Sequence, residues 1–187
     1  NATSLSNGDN TFDFFDDFGG TTLDTTKWGI LSGSPTVTNG ILKLPAVSRI
    51  RTINSWEASN KIVEGRVKLD TSYRLYLGFA NRPLRYDVPN SSYYEWAIES
   101  DRIYCVYNGI DPTPNLFQIW TVIYNASFSI ISYLDNTYLF SCTQVDTSSQ
   151  GIYLNHWSSG TSQVDWIRVR KYTSPEPTTS IGAEERL

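Results

Sequence analysis

Apolar and polar residues alternate with a period of two through most of this chain, the mark of strands that bury one face. In "YRLYLGFA" Leu75, Leu77 and Phe79 fall on one side and Arg74 and Tyr76 on the other. In "SYYEWAIE" Tyr94, Trp96 and Ile98 oppose Tyr93, Glu95 and Glu99. Read this way, strands are predicted over 12–18, 35–38, 40–45, 47–53, 61–69, 73–80, 92–99, 102–107, 117–124, 127–133, 137–143, 151–155 and 163–172. Turn chemistry separates them: Gly19-Gly20, Ser34-Pro35, Asn39-Gly40, Asn108-Gly109, Asp111-Pro112 and Ser159-Gly160. Asn39-Gly40 between "PTVT" and "ILKL" predicts a tight hairpin. Only "SWEASNK" has room for a helical turn.

Many short strands at this spacing predict an all-β fold, a two-sheet antiparallel jelly-roll sandwich. One domain is expected over 1–172, with 173–187 as a tail, an edge strand or a linker stub. One position breaks the pattern. In "VDWIRVRKY" strict alternation puts Asp165 on the same side as Ile167 and Val169, and a buried carboxylate is costly unless paired or metal-bound.

Composition narrows the function. The net charge is −4 and the pI is near 4.9, with no basic run, which argues against a nucleic-acid partner. No stretch approaches the ~20 apolar residues that span a bilayer, so no membrane insertion is expected. Six Trp, twelve Tyr and eight Phe accompany a single His and no Met, the make-up of an extracellular or cell-surface β protein. The opening "NATSLSNGDN" reads as a mature terminus or the cut end of a longer chain. Asn-X-Ser/Thr sequons at Asn1, Asn90 and Asn125 are candidate glycosylation sites. Cys105 and Cys142 either pair as a disulfide or remain free, and the sequence leaves both readings open.

Little in the chain points to catalysis. His156 is the only histidine, in a stretch that reads as a loop, so a His-rich zinc site is excluded and a Ser-His-Asp arrangement would have only this residue to use. Sugar recognition needs aromatic rings beside hydrogen-bonding groups. The outward set Arg74, Tyr76, Tyr93 and Glu95 offers both, with Tyr86 in the 81–93 loop and Trp120 and Trp157 as further candidates. Trp56, Arg82, Arg85 and Asp87 extend this set, whereas Trp28 and Trp166 are expected to be structural.

"FFDDFGGTTLDTTKW", "GSPTVTNGILKL" and "QVDWIRVRKYTSPEP" resemble the ends of concanavalin A-like lectin/glucanase domains, in particular LamG-like jelly rolls of archaeal and bacterial surface proteins. "NATSLSNGDNTF" resembles the end of the DUF2341 module that precedes such domains. The resemblance implies a structural calcium ion where the first and last strands meet. Its ligands would be Asp165, a carbonyl at Asn39-Gly40 and an oxygen near Asp16, with the register of Asp16-Asp17 left open. It also implies a concave carbohydrate-binding face. Glucanases of this superfamily carry a Glu-X-Asp-X-Glu type signature, and the comparable stretch here has Glu95 and Glu99 with Ala97 between them. A non-enzymatic, calcium-bearing, lectin-like module that binds a polysaccharide or glycan is therefore expected. The alternatives are a structural or adhesion subunit contacting neighbouring domains or subunits and, behind it, a glycoside hydrolase.

Overall fold

Two antiparallel sheets face each other in the computed structural model, which describes residues 8–69, 75–80, 113–126, 129–143, 149–156 and 159–176. In chain order the elements are α1 (Gly8–Thr11), β1 (Phe14–Asp16), β2 (Trp28–Ser32), β3 (Thr36–Thr38), β4 (Ile41–Leu44), β5 (Ser48–Thr52), β6 (Trp56–Glu57), β7 (Lys61–Lys68), β8 (Leu75–Ala80), β9 (Phe117–Tyr124), β10 (Ser129–Leu134), β11 (Thr137–Thr143), β12 (Ser149–His156) and β13 (Ser162–Lys171). The larger sheet runs β11-β10-β9-β7-β13-β4-β3, with β1 also paired to β13. The smaller runs β2-β5-β12-β6, with β8 on β12. The chain is an all-β jelly-roll sandwich, and its first and last described strands are neighbours, Phe14 opposite Val169 and Asp16 opposite Ile167.

Alternation sorts the core. Leu42, Val63, Val67, Val122, Ile130, Ile167 and Val169 line the inner face of the larger sheet. Ile50, Leu77, Phe79, Ile152 and Leu154 meet them from the smaller sheet. Trp28 is 1% exposed and packs edge-on against Phe14 at 5.4 Å between centroids. Its indole N–H donates to Asp16 Oδ2 at 2.6 Å, so the core-side carboxylate has a partner. The Asn39-Gly40 hairpin forms as expected: both residues have positive φ, 53° and 71°, and Thr38 pairs with Ile41.

Some expectations change. β2 was not expected, because "WGILS" lacks alternation, and the "SWEASNK" turn gives the short strand β6 instead of a helix. His156 is not a loop residue. It ends β12, fully buried, with Nδ1 2.8 Å from Ser162 Oγ. Asp165 does not share the core face of Ile167. A β-bulge between Val164 and Trp166, against β7, makes Asp165 the extra residue, and its carboxylate pairs with Arg66 on the outer side. Val164 and Ile167 are both 0% exposed although three residues apart, and only an inserted residue lets one strand bury both.

Candidate functional site

The outward register of the smaller sheet gathers polar and aromatic side chains, two of which, Tyr153 and Tyr76, also pack with the core. In β5, Ser48, Ile50 and Thr52 turn inward and leave Arg49 and Arg51 outward. In β12, Ile152, Leu154 and His156 turn inward and leave Gly151, Tyr153 and Asn155 on the other side. In β8, Leu75, Leu77 and Phe79 turn inward and leave Tyr76 and Gly78. Strand register sets these in two rows. One runs Arg51–Tyr153–Gly78 and the next Arg49–Asn155–Tyr76. Directly opposed side chains on neighbouring strands stand about 5 Å apart, so each row is continuous.

The rows differ in depth. Tyr153 and Asn155 are 1% and 6% exposed and form a floor, whereas Arg49 and Tyr76 are half-buried and Arg51 is exposed. Tyr76 lies along its strand and donates its hydroxyl to the Phe79 carbonyl at 2.9 Å. It also hydrogen-bonds the hydroxyl of Tyr124, which reaches past the edge of β8 from the larger sheet. The Tyr124 hydroxyl accepts the Phe79 N–H at 2.8 Å. Gly78 makes this approach feasible, since a Cβ there would lie 2.5 Å from the Tyr124 oxygen. Burial pushes both phenols above their usual range, with Tyr76 further raised by Tyr124, so both stay protonated.

The expected calcium locus lies on the opposite sheet. On one edge of β13, β4 covers Ser162–Val164 and β1 covers Ile167–Val169, leaving Asp165 and Trp166 at the break between them. Gly40 borders the same break, where a Cβ would be 3.9 Å from the Asp17 carbonyl oxygen. Asp16 contributes differently from expectation. Its Oδ1 accepts from Phe18 N at 2.8 Å and its Oδ2 from Trp28, so its side chain is already engaged. Burial raises the Asp16 pKa, even though those two hydrogen bonds and Lys27 oppose the rise. Among the described residues there is no cluster of three or more His, Cys, Asp or Glu. The Asp165 carboxylate is engaged too, paired with Arg66 of β7.

Across the outer side of the larger sheet runs a charged band. Glu64 is 6% exposed and accepts from Arg168 at 2.7 Å and Arg170 at 3.1 Å. Burial alone would raise its pKa, but Arg170 and Arg168 more than offset this and hold it below the usual carboxylate value.

Of the residues singled out from sequence, Arg74, Tyr86, Tyr93, Glu95 and Trp157 lie outside the described residues, as do Cys105, Asn1, Asn90 and the side chain of Cys142. Tyr76 falls on the smaller sheet's outer face, but its hydroxyl is spoken for. Trp120 lies on the core side of the larger sheet, 3% exposed, away from that face. Trp56 is also inward, against Phe14 and Phe79. Asn125 closes the β9–β10 turn, accepting the Ser129 N–H at 3.0 Å. Arg49, Arg51, Tyr153 and Asn155 were missed. The signal was the Arg-Ile-Arg alternation of "SRIRT", read only as a strand.

A family model described as a domain of unknown function, DUF2341, matches residues 1–31. No curated protein matches the chain by sequence. Solved structures do match. The β-porphyranase BpGH16B from the human gut bacterium Bacteroides plebeius superposes with a TM-score of 0.60 at 13% identity, over 88% of this chain and 91% of that one. β-Agarase B from Zobellia galactanivorans gives 0.57 at 14%, over 84% and 91%. The carbohydrate recognition domain of Emp47p gives 0.54 at 9%, over 84% and 94%. These likenesses concern the fold. They also correct the expectation that the chain is not an enzyme, because two of the three neighbours are named as enzymes. Ala97 between Glu95 and Glu99 was too narrow a ground for that exclusion. It tested one signature against a fold that hydrolases and lectin domains share.

Proposed function

We propose that this domain is a carbohydrate-active jelly roll that engages a polysaccharide on the outer face of its smaller sheet. The observation that carries the reading is the pair of rows Arg51–Tyr153–Gly78 and Arg49–Asn155–Tyr76. They set planar rings and hydrogen-bonding groups side by side on rigid strands. Arg49, Arg51 and the ring of Tyr76 supply donors and a stacking surface, while Tyr153 and Asn155 pack between them and fix their spacing. The fold is shared with polysaccharide-directed enzymes and a carbohydrate recognition domain, which supports the same reading. A calcium ion held by Asp165 and the Asp17 and Gly40 carbonyls belongs to this proposal as a structural clamp across the break in the β13 edge.

Affinity electrophoresis in gels containing neutral and charged polysaccharides tests binding. Retardation by at least one polysaccharide, lost in Asn155→Ala with the folded state retained, is the expected result. No retardation by any would refute it. A second reading, hydrolysis, is favoured by the enzymes among the structural neighbours. It assigns Glu95 and Glu99 as the paired carboxylates, and reducing-sugar release abolished by Glu95→Gln and Glu99→Gln is its test.

A further inference from the structure

Arg51 stands apart from the other charged residues of the smaller sheet. It is exposed, and among the described residues no acid pairs with it. Its stem is laid down firmly all the same. Gly151 leaves a gap across the strand, and a Cβ there would lie 3.1 Å from Arg51 Cγ and 3.4 Å from Cδ. On the other side its strand partner is Gly29. The space over Gly29 is taken by Ile53 Cδ1, 3.4 Å from where a Cβ would be, so the room for the methylene stem comes from Gly151, and by register the side chain stands beside Tyr153.

The remaining charges on this face point the same way. Arg49 is the next outward residue on β5, so two guanidiniums stand on one strand face. By register the acid on the same side among the described residues is Glu57, opposite Ser149 on β6, and it forms no ion pair with Arg51. Arg51 differs in this from Arg66, matched by Asp165, and from Arg168 and Arg170, matched by Glu64. A guanidinium fork is built for the two oxygens of a carboxylate or a sulfate, and one held unmatched over a rigid sheet is prepared for a ligand that brings the anion.

We propose that the ligand of this face is an acidic polysaccharide, carrying carboxylate or sulfate groups, and that Arg51 binds its anionic group. This rests on the carbohydrate reading above and names its substrate class. The stem over Gly151 sets where along the sugar chain the charge must fall, and Tyr76 and Arg49 contact the residues beside it.

Affinity electrophoresis with three probes tests the inference: polygalacturonate for carboxylate, κ-carrageenan for sulfate and laminarin as the neutral chain. At least one acidic probe should bind more tightly than laminarin, and the better of the two identifies the anion. Arg51→Gln keeps the stem over Gly151 and removes the charge. It should weaken acidic binding about tenfold and any laminarin binding by clearly less. Arg51→Lys should recover part of the loss, and raising NaCl should weaken acidic binding selectively. Equal binding of laminarin and the acidic probes, or acidic binding indifferent to Arg51→Gln, would overturn this inference and leave the polysaccharide reading intact. Failure of every probe would overturn both.

Discussion

Substituting Gly78 by Ala tests how the core holds the binding face. The added methyl carbon would lie 2.5 Å from the Tyr124 hydroxyl oxygen and 3.2 Å from that of Tyr76. The Tyr124 oxygen cannot yield freely. It accepts the Phe79 N–H at 2.8 Å, and its ring is pinned edge-on against Phe79 with centroids 5.1 Å apart. Overpacking of this kind costs about 1–3 kcal/mol, and the strained hydrogen bond adds roughly 1. In a domain of this size each kcal/mol lowers Tm by about 2–4 °C, so Gly78→Ala should lose roughly 4–16 °C. Tyr124→Phe should cost about 1–3 kcal/mol by itself, because the Phe79 N–H is left buried without its acceptor. In the double variant the hydroxyl that met the methyl is gone, and alanine is about 0.5–1 kcal/mol better than glycine within a strand. Gly78→Ala should therefore be close to neutral in the Tyr124→Phe background, a coupling of about 2 kcal/mol or more. Urea unfolding of the four proteins, followed by tryptophan fluorescence with equal m-values, measures the cycle. Costs that add to within about 0.5 kcal/mol would refute the contact on which the argument stands.

Glu64→Gln should destabilise by about 3 kcal/mol at pH 7, since it leaves Arg168 without its carboxylate. The folded Glu64 pKa lies below its usual 4.5, so its contribution is complete above that value and lost as pH falls through the folded one. The gap between wild type and Glu64→Gln in denaturant midpoints should accordingly close on acidification, and a gap constant with pH would contradict the ion pair. Asp16 has the opposite sign: its pKa is raised from 3.8, so its contribution is present below 3.8 and fades as pH rises through the folded value. Asp16→Asn turns an NH₂ group toward one of two N–H donors and should cost about 1–3 kcal/mol near neutrality, read by thermal melting. Calcium chloride should raise the Tm, with about 2.7 kcal/mol at a hundredfold excess over Kd, and EDTA should reverse it. Asp165→Ala should abolish that response while costing under about 1 kcal/mol in the absence of the ion, because its partner Arg66 is 43% exposed. A calcium-independent Tm would remove the ion from the proposal.

Local pattern carried much of the architecture. Period-two alternation in "YRLYLGFA" and "ILKL" assigns each side chain to a face without reference to anything distant, because a strand's geometry is local. The Asn39-Gly40 hairpin was legible for the same reason: two residues tolerant of positive φ specify a two-residue turn. Pairing between strands far apart in the chain was not legible, and the binding rows depend on it. Arg51, Tyr153 and Gly78 are separated by dozens of residues and become one row only through the β5–β12–β8 register. The same holds for Tyr76, whose outward position was readable but whose hydroxyl is claimed by Phe79 and by Tyr124 of the other sheet. Asp165 shows the boundary most clearly. Its sequence neighbours predicted an inward carboxylate, and the burial of both Val164 and Ile167 forced a bulge that turned it outward to Arg66. Alternation is a property of one strand, whereas a bulge is set by what the facing strands and core demand of it, and that demand exists only once the sheets have assembled.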